Sequence, residues 1–84
     1  MRAIKVMSNS DQDFRNEVSK WNCVTIIKDP AEVKGGERFI KYSSLDRHWH
    51  VYTKSKVHLA TPRYCGRHDN ILSAVYSARN SMMI

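Results

Sequence analysis

All four histidines of the chain, His48, His50, His58 and His68, fall in one stretch, interleaved with Arg47, Lys54, Lys56, Arg63 and Arg67. Imidazole changes charge near neutrality, so one ring can take a proton from an oxygen while another gives a proton back. His48 and His50 stand at i and i+2, about 6.5–7 Å apart along an extended backbone, a separation that straddles one phosphate. In that arrangement the two rings act as catalytic base and acid on an RNA 2′-hydroxyl and its leaving oxygen. Arg47, Lys56 or Arg63 then stabilises the charge gathering on phosphorus. This is the chemistry of a metal-independent endoribonuclease. The plain alternative is that strand histidines at a surface do no chemistry.

The same histidines, with Cys65-x-x-His68, also contain the nitrogen and sulfur donors of a tetrahedral zinc site. A Cys-x-x-His pair without a matching second pair is a weak signal, and no metal or cofactor is expected. No Ser-His-Asp set, carboxylate pair or glycine-rich phosphate loop stands out. Gly35-Gly36 reads as a flexible turn.

Charge points the same way as the histidines. Residues 1–33 balance five basic against five acidic side chains, whereas residues 34–84 hold nine basic residues against Glu37, Asp46 and Asp69, and so carry the whole formal charge of +6. A one-sided basic surface attracts polyanions, because each cation placed near a phosphate releases a counterion. RNA or single-stranded nucleic acid is the expected partner, contacted by Arg47, Tyr52, Lys54, Lys56, His58, Arg63 and Arg67. The other function class is a non-enzymatic inhibitor or adaptor of the kind mobile elements encode. Such a protein docks its basic face on an acidic host protein or nucleoprotein, in a tight complex without turnover.

The elements that must position these groups follow from periodicity. Ala3 to Met7 alternates as a short strand; a helix over 10–21, with Ser10 as N-cap, buries Phe14, Val18 and Trp21; Cys23 to Ile27 is β-branched and extended. Pro30 to Glu37 reads as an exposed loop, followed by a strand over Arg38 to Ser43. In His48-Trp49-His50-Val51-Tyr52-Thr53 the period of two puts Trp49, Val51 and Thr53 toward the core, and His48, His50 and Tyr52 on the other face. A tight turn at Thr53–Lys56 leads to a strand ending at Thr61-Pro62, with Lys56 and His58 facing outward, and Gly66 then turns the chain. A final helix over 69–80, capped by Asp69, buries Ile71, Val75, Ala78 and Met82. The expected fold is α+β: an antiparallel sheet of four to five strands, with both helices on one face and the histidines on the other.

Eighty-four residues without repeats or a linker are expected to make one small domain, 1–84, with a modest core. Two cysteines, no secretory signal and no long apolar run predict a cytoplasmic protein that does not enter membranes.

Three segments resemble a known family. His48-Trp49-His50-Val51-Tyr52, Lys56-Val57-His58-Leu59-Ala60-Thr61-Pro62 and the helix Asp69 to Asn80 are similar to the second half of HicA-type toxins, small basic mRNA interferases of toxin–antitoxin systems. The resemblance covers residues 47–80. It implies a fold like a double-stranded-RNA-binding domain, a cognate antitoxin as partner, and RNA cleavage by the strand histidine, which is His48 here. The family carries glycine immediately before that histidine, where this chain has Asp46-Arg47.

Overall fold

The computed structural model describes residues 4–8, 12–56 and 61–81. In chain order the elements are β1 (Ile4–Met7), α1 (Gln12–Ser19), β2 (Val24–Ile27), a 3-10 turn (Pro30–Glu32), β3 (Arg38–Ser43), β4 (His48–Thr53), β5 (Arg63–His68) and α2 (Ile71–Asn80). They form one five-stranded sheet in the order β2-β1-β3-β4-β5, with the helices on one side. The class is α+β, but the sheet is mixed. The pairings β3–β4 and β4–β5 are antiparallel, while β1 runs parallel to both β2 and β3. The purely antiparallel sheet expected from sequence is therefore wrong in its first half. The cause is connectivity: α1 carries the chain back to the end where β1 began, and crossovers of this kind make parallel neighbours. The segment from Lys28 to Glu37 makes a second return, past β1 to β3.

Strand alternation sorts the apolar side chains into two layers. Ile4, Val6, Ile40, Trp49 and Val51 face the helices and pack on Phe14 and Val18 of α1 and on Ala74, Val75 and Ala78 of α2. Each fully buried valine or isoleucine stabilises the fold by about 1.5–3 kcal/mol. Val6, Val18, Ile40, Val51 and Val75 thus supply most of the cohesion on this side. Asn70, rather than Asp69, caps α2, its side chain accepting from the Ser73 N–H at 2.9 Å. At the far end of α2 the Arg38 guanidinium donates to the Ser81 carbonyl at 2.7 and 3.1 Å. The expected cap Ser10, the core residue Met82 and the strand residues Val57 and Leu59 lie outside the described residues.

The second layer corrects another expectation. Met7, Ile27, Val33 and Phe39 form a separate buried cluster, with Tyr52 against it. The segment Pro30 to Glu37 is therefore a strap across the β1 side of the sheet: Ala31, Glu32, Lys34 and Gly35 are exposed as expected, but Val33 and Gly36 are buried and anchor it. Gly36 adopts φ 89° and donates its N–H to the Lys54 carbonyl at 2.6 Å, while the Lys54 N–H returns to Glu37 at 2.9 Å. A Cβ on Gly35 would stand 2.6 Å from the Ser55 carbonyl oxygen. The glycine pair forms a turn, closed by the Glu37 N–H donating to the Lys34 carbonyl at 3.2 Å, and the turn is held in close backbone contact with Lys54–Ser55.

β5 departs from expectation as well. A strand that was not expected begins after Pro62, since proline, lacking an N–H, is tolerated at a strand's start, while the strand expected before Pro62 falls mostly outside the described residues. Gly66 does not turn the chain; it sits inside β5 with φ 127°, at a bulge. Tyr52 pairs with Tyr64 while Val51 pairs with Gly66, which leaves Cys65 as the extra residue. No helix among the described residues is long and apolar enough to cross a membrane.

Candidate functional site

Trp49 fixes which way β4 presents its histidines. Its indole stacks on Phe14 of α1 with ring centroids 4.7 Å apart and meets Tyr42 of β3 at 4.9 Å. With Trp49, Val51 and Thr53 all buried, the alternation of the strand sends His48, His50 and Tyr52 to the opposite face, as their spacing predicts.

On that face the two rings are held by different carboxylates. His48 Nδ1 lies 2.5 Å from the Asp46 carbonyl oxygen, and its Nε2 lies 3.0 Å from Asp69 Oδ1. Both nitrogens face acceptors, so both contacts are satisfied together only when each carries a hydrogen. His50 is placed differently. Its Nε2 lies 2.9 Å from Asp46 Oδ2, and its Nδ1 lies 2.9 Å from the Tyr64 hydroxyl. A carboxylate only accepts, so the His50 proton stands on Nε2; in the neutral ring Nδ1 then accepts from the Tyr64 O–H. Asp46, His50 and Tyr64 thus form one hydrogen-bonded chain of carboxylate, imidazole and phenol.

Asp46 is the hub. Besides His50, its carboxylate accepts the His48 backbone N–H at 3.1 Å and lies 4.0 Å from Arg67 Nη1. Burial pushes this carboxyl up, but the hydrogen bonds from His50 and from the His48 backbone, with the charge of both rings, outweigh it and hold the group below its ordinary 3.8. Tyr52 moves the other way. Burial first, then Tyr64 and Asp46 nearby, push its phenol above the ordinary 10.0.

Around this hub the pairing register lays out a row of basic and aromatic groups. Lys41 lies opposite His50 on β3, and Arg67 lies opposite His50 on β5. Tyr52 stacks on Phe39 at 5.0 Å and meets the edge of Tyr64 at 5.4 Å. Tyr64 is 51% exposed. Arg67 is also largely exposed, at 61% of its side chain.

The other residues singled out by sequence fall in several places. Arg47 is exposed in the β3–β4 turn with φ 57°. Lys54 is engaged in the fold, its Nζ donating to the Val33 carbonyl at 2.9 Å and so tying the strap to the end of β4. Lys56 is exposed at the end of a described segment, and His58 lies outside the described residues. Arg63 is exposed but pairs with the buried Thr53, so alternation puts it on the face opposite Tyr64, and the bulge returns Arg67 to the face of Tyr64. Cys65 donates to Thr53 Oγ1 at 3.7 Å, while His68 pairs with Trp49 and its Nε2 is buried without a hydrogen-bond partner among the described residues. No three His, Cys, Asp or Glu side chains among the described residues gather into a metal-binding group.

Asp46, Tyr64 and Lys41 were not singled out from sequence. The spacing Asp46-x-His48-x-His50 was a usable signal for the first, since a turn carboxylate so placed reaches a strand imidazole. Tyr64 was hidden because a strand over Arg63–His68 was not expected. No family model, curated protein or solved structure matches the chain.

Proposed function

We propose that this protein binds single-stranded nucleic acid, RNA foremost, on the half of the sheet face that the strap leaves open. The observation that carries this is the row on β3, β4 and β5: the half-exposed phenol ring of Tyr64 beside Tyr52, flanked by Lys41 and Arg67. An aromatic ring at an open sheet stacks on a splayed base, and cations on either side take the phosphates. Of the two carboxylates described on this face, Asp46 is occupied by His50 and faces Arg67, and Asp69 is paired with His48, so each opposes a polyanion less than a free acid would. Anisotropy titrations with labelled ten-residue RNA and DNA strands test the proposal. Tyr64→Ala lowers affinity by the value of one stacked base, about 1–3 kcal/mol. Lys41→Ala and Arg67→Ala each reduce the slope of log affinity against log salt by about 0.7. Absence of binding at low salt removes the proposal and leaves docking on an acidic host protein as the better account of the charge.

RNA cleavage of the HicA type is a second reading, and two observations favour it. Arg47 holds φ 57°, a conformation that suits glycine, at the position where that family carries glycine before its histidine. In addition, the antiparallel β3, β4 and β5 are followed directly by α2, as the resemblance implies, while β1, and β2 between α1 and β3, stand outside that order. In that reading His48 is the catalytic residue and a cognate antitoxin the partner. Chelator-resistant cleavage of labelled RNA that disappears in His48→Ala supports it; a folded wild type that leaves RNA intact ends it.

A further inference from the structure

We propose that Tyr64 is a nucleophile activated by His50 and Asp46, and that it attacks a phosphodiester of the strand bound on the open face. For its substrate this inference rests on the nucleic-acid reading above; for the reactivity of Tyr64 it does not.

The geometry is that of a base aimed at a hydroxyl and oriented from behind. His50 Nδ1 stands 2.9 Å from the Tyr64 oxygen, within reach of its proton, and Asp46 at 2.9 Å from Nε2 fixes the tautomer that leaves Nδ1 free to accept. Ring packing sets the approach: the His50 and Tyr64 rings lie 5.6 Å apart, and Tyr52 closes the other side of Tyr64 at 5.4 Å. The groups facing His50 are Asp46 from the turn, Tyr64 and Arg67 from β5, Lys41 from β3, and His48 and Tyr52 on its own strand. A buried structural tyrosine would hide its hydroxyl end, whereas Tyr64 is 51% exposed. It also lies beside an arginine that can hold a phosphate oxygen.

In the step, Tyr64 Oη forms a bond to phosphorus and the bond from phosphorus to one sugar oxygen breaks. The phenolic proton passes to His50 Nδ1, and Asp46 holds the charge of the imidazolium. The departing sugar oxygen takes a proton from water, and His50 returns its proton to the hydroxide so formed. Tyr64 and His50 act on the reacting atoms; Asp46 is a positioning residue.

The molecule contains its own control. Tyr76 on α2 is 57% exposed, similar to Tyr64, and makes no hydrogen bond or ring contact with an imidazole among the described residues. The full chain is treated with benzenesulfonyl fluoride, and modification at each tyrosine is followed by peptide mass spectrometry. Tyr64 is expected to react at least about tenfold faster than Tyr76, a factor within the range of general base catalysis. The advantage should vanish in His50→Gln and shrink in Asp46→Asn, with the Tyr76 rate unchanged. Equal rates at the two tyrosines, or an advantage that survives His50→Gln, overturns the activation. A second arm uses a labelled DNA strand, which lacks the 2′-hydroxyl that would release a phosphotyrosine ester. An adduct stable in detergent, and lost in Tyr64→Phe when each protein is compared at its own saturating strand concentration, supports the step. A strand that binds without forming an adduct overturns it. If no variant binds a strand, the nucleic-acid reading and the assigned substrate both fall, while the labelling arm still decides whether the tyrosine is activated.

Discussion

Replacing Val33 by alanine measures how firmly the strap closes half of the sheet face. Val33 is 2% exposed and lies among Met7, Ile27 and Phe39. The substitution removes about two methylene equivalents from an apolar site, worth about 0.8 kcal/mol each, and leaves a small cavity whose cost brings the total to about 2 kcal/mol. For a chain of this length, total stability is about 4–12 kcal/mol. The loss is therefore a sizeable fraction of the whole, and it lowers the melting temperature by about 8–16 °C. Thermal unfolding followed by circular dichroism reads the shift directly. Phe39→Ala, in the same cluster, provides an independent check on the layer. A Val33→Ala variant that melts within about 0.5 kcal/mol of wild type behaves as an exposed loop residue and refutes the strap. The binding face would then extend across the whole sheet instead of its β3–β5 half.

Other outcomes follow from the same contacts. Because Asp46 is held below 3.8 in the fold, its contribution to stability is present above that pH and is lost as the pH falls through the lowered value; Asp46→Asn should flatten the acid limb of a stability–pH curve. Tyr52 has the opposite sign: its contribution is present below pH 10.0 and lost as the pH rises above it, so Tyr52→Phe should remove that alkaline loss, measured by urea melts across the range. Gly35→Ala places a Cβ 2.6 Å from the Ser55 carbonyl and should cost about 1–3 kcal/mol, with an unchanged melting temperature showing that the turn gives way freely. Lys54→Ala should lower stability but leave the salt slope of strand binding unaltered, since its ammonium is engaged with Val33; a reduced slope would place it on phosphate instead.

The elements of this fold were legible where the pattern was local. Trp49, Val51 and Thr53 alternate with His48, His50 and Tyr52, and no neighbour is needed to see which set is buried. Phe14 and Val18, at one helical turn, were equally plain. Pairing was not legible. β1 and β2 are four residues each, and nothing in Ile4 to Met7 says whether its partners run with it or against it; α1 decides that through connectivity. The strap was missed because Val33 is a lone apolar residue between lysine, glycine and glutamate, and its burial depends on Met7, Ile27 and Phe39 from three strands. β5 was missed because Val57, Leu59 and Thr61 alternate more convincingly than Arg63 to His68, whose own alternation is broken by the bulge at Cys65-Gly66. That error had the largest consequence for the site. It moved Tyr64 off the face and put Arg63 onto it.

The most direct test of the open-face account is a nuclear magnetic resonance titration of the isotopically labelled protein with a short single-stranded RNA at low salt. Shift changes should concentrate on Lys41, His50, Tyr52, Tyr64 and Arg67 and spare α1 and the strap, and they should reverse on addition of salt. Changes confined to the helical face, around the exposed Leu72 and Tyr76, or none at all at RNA concentrations up to about 1 mM, well above the usual range for non-specific binding, would contradict it.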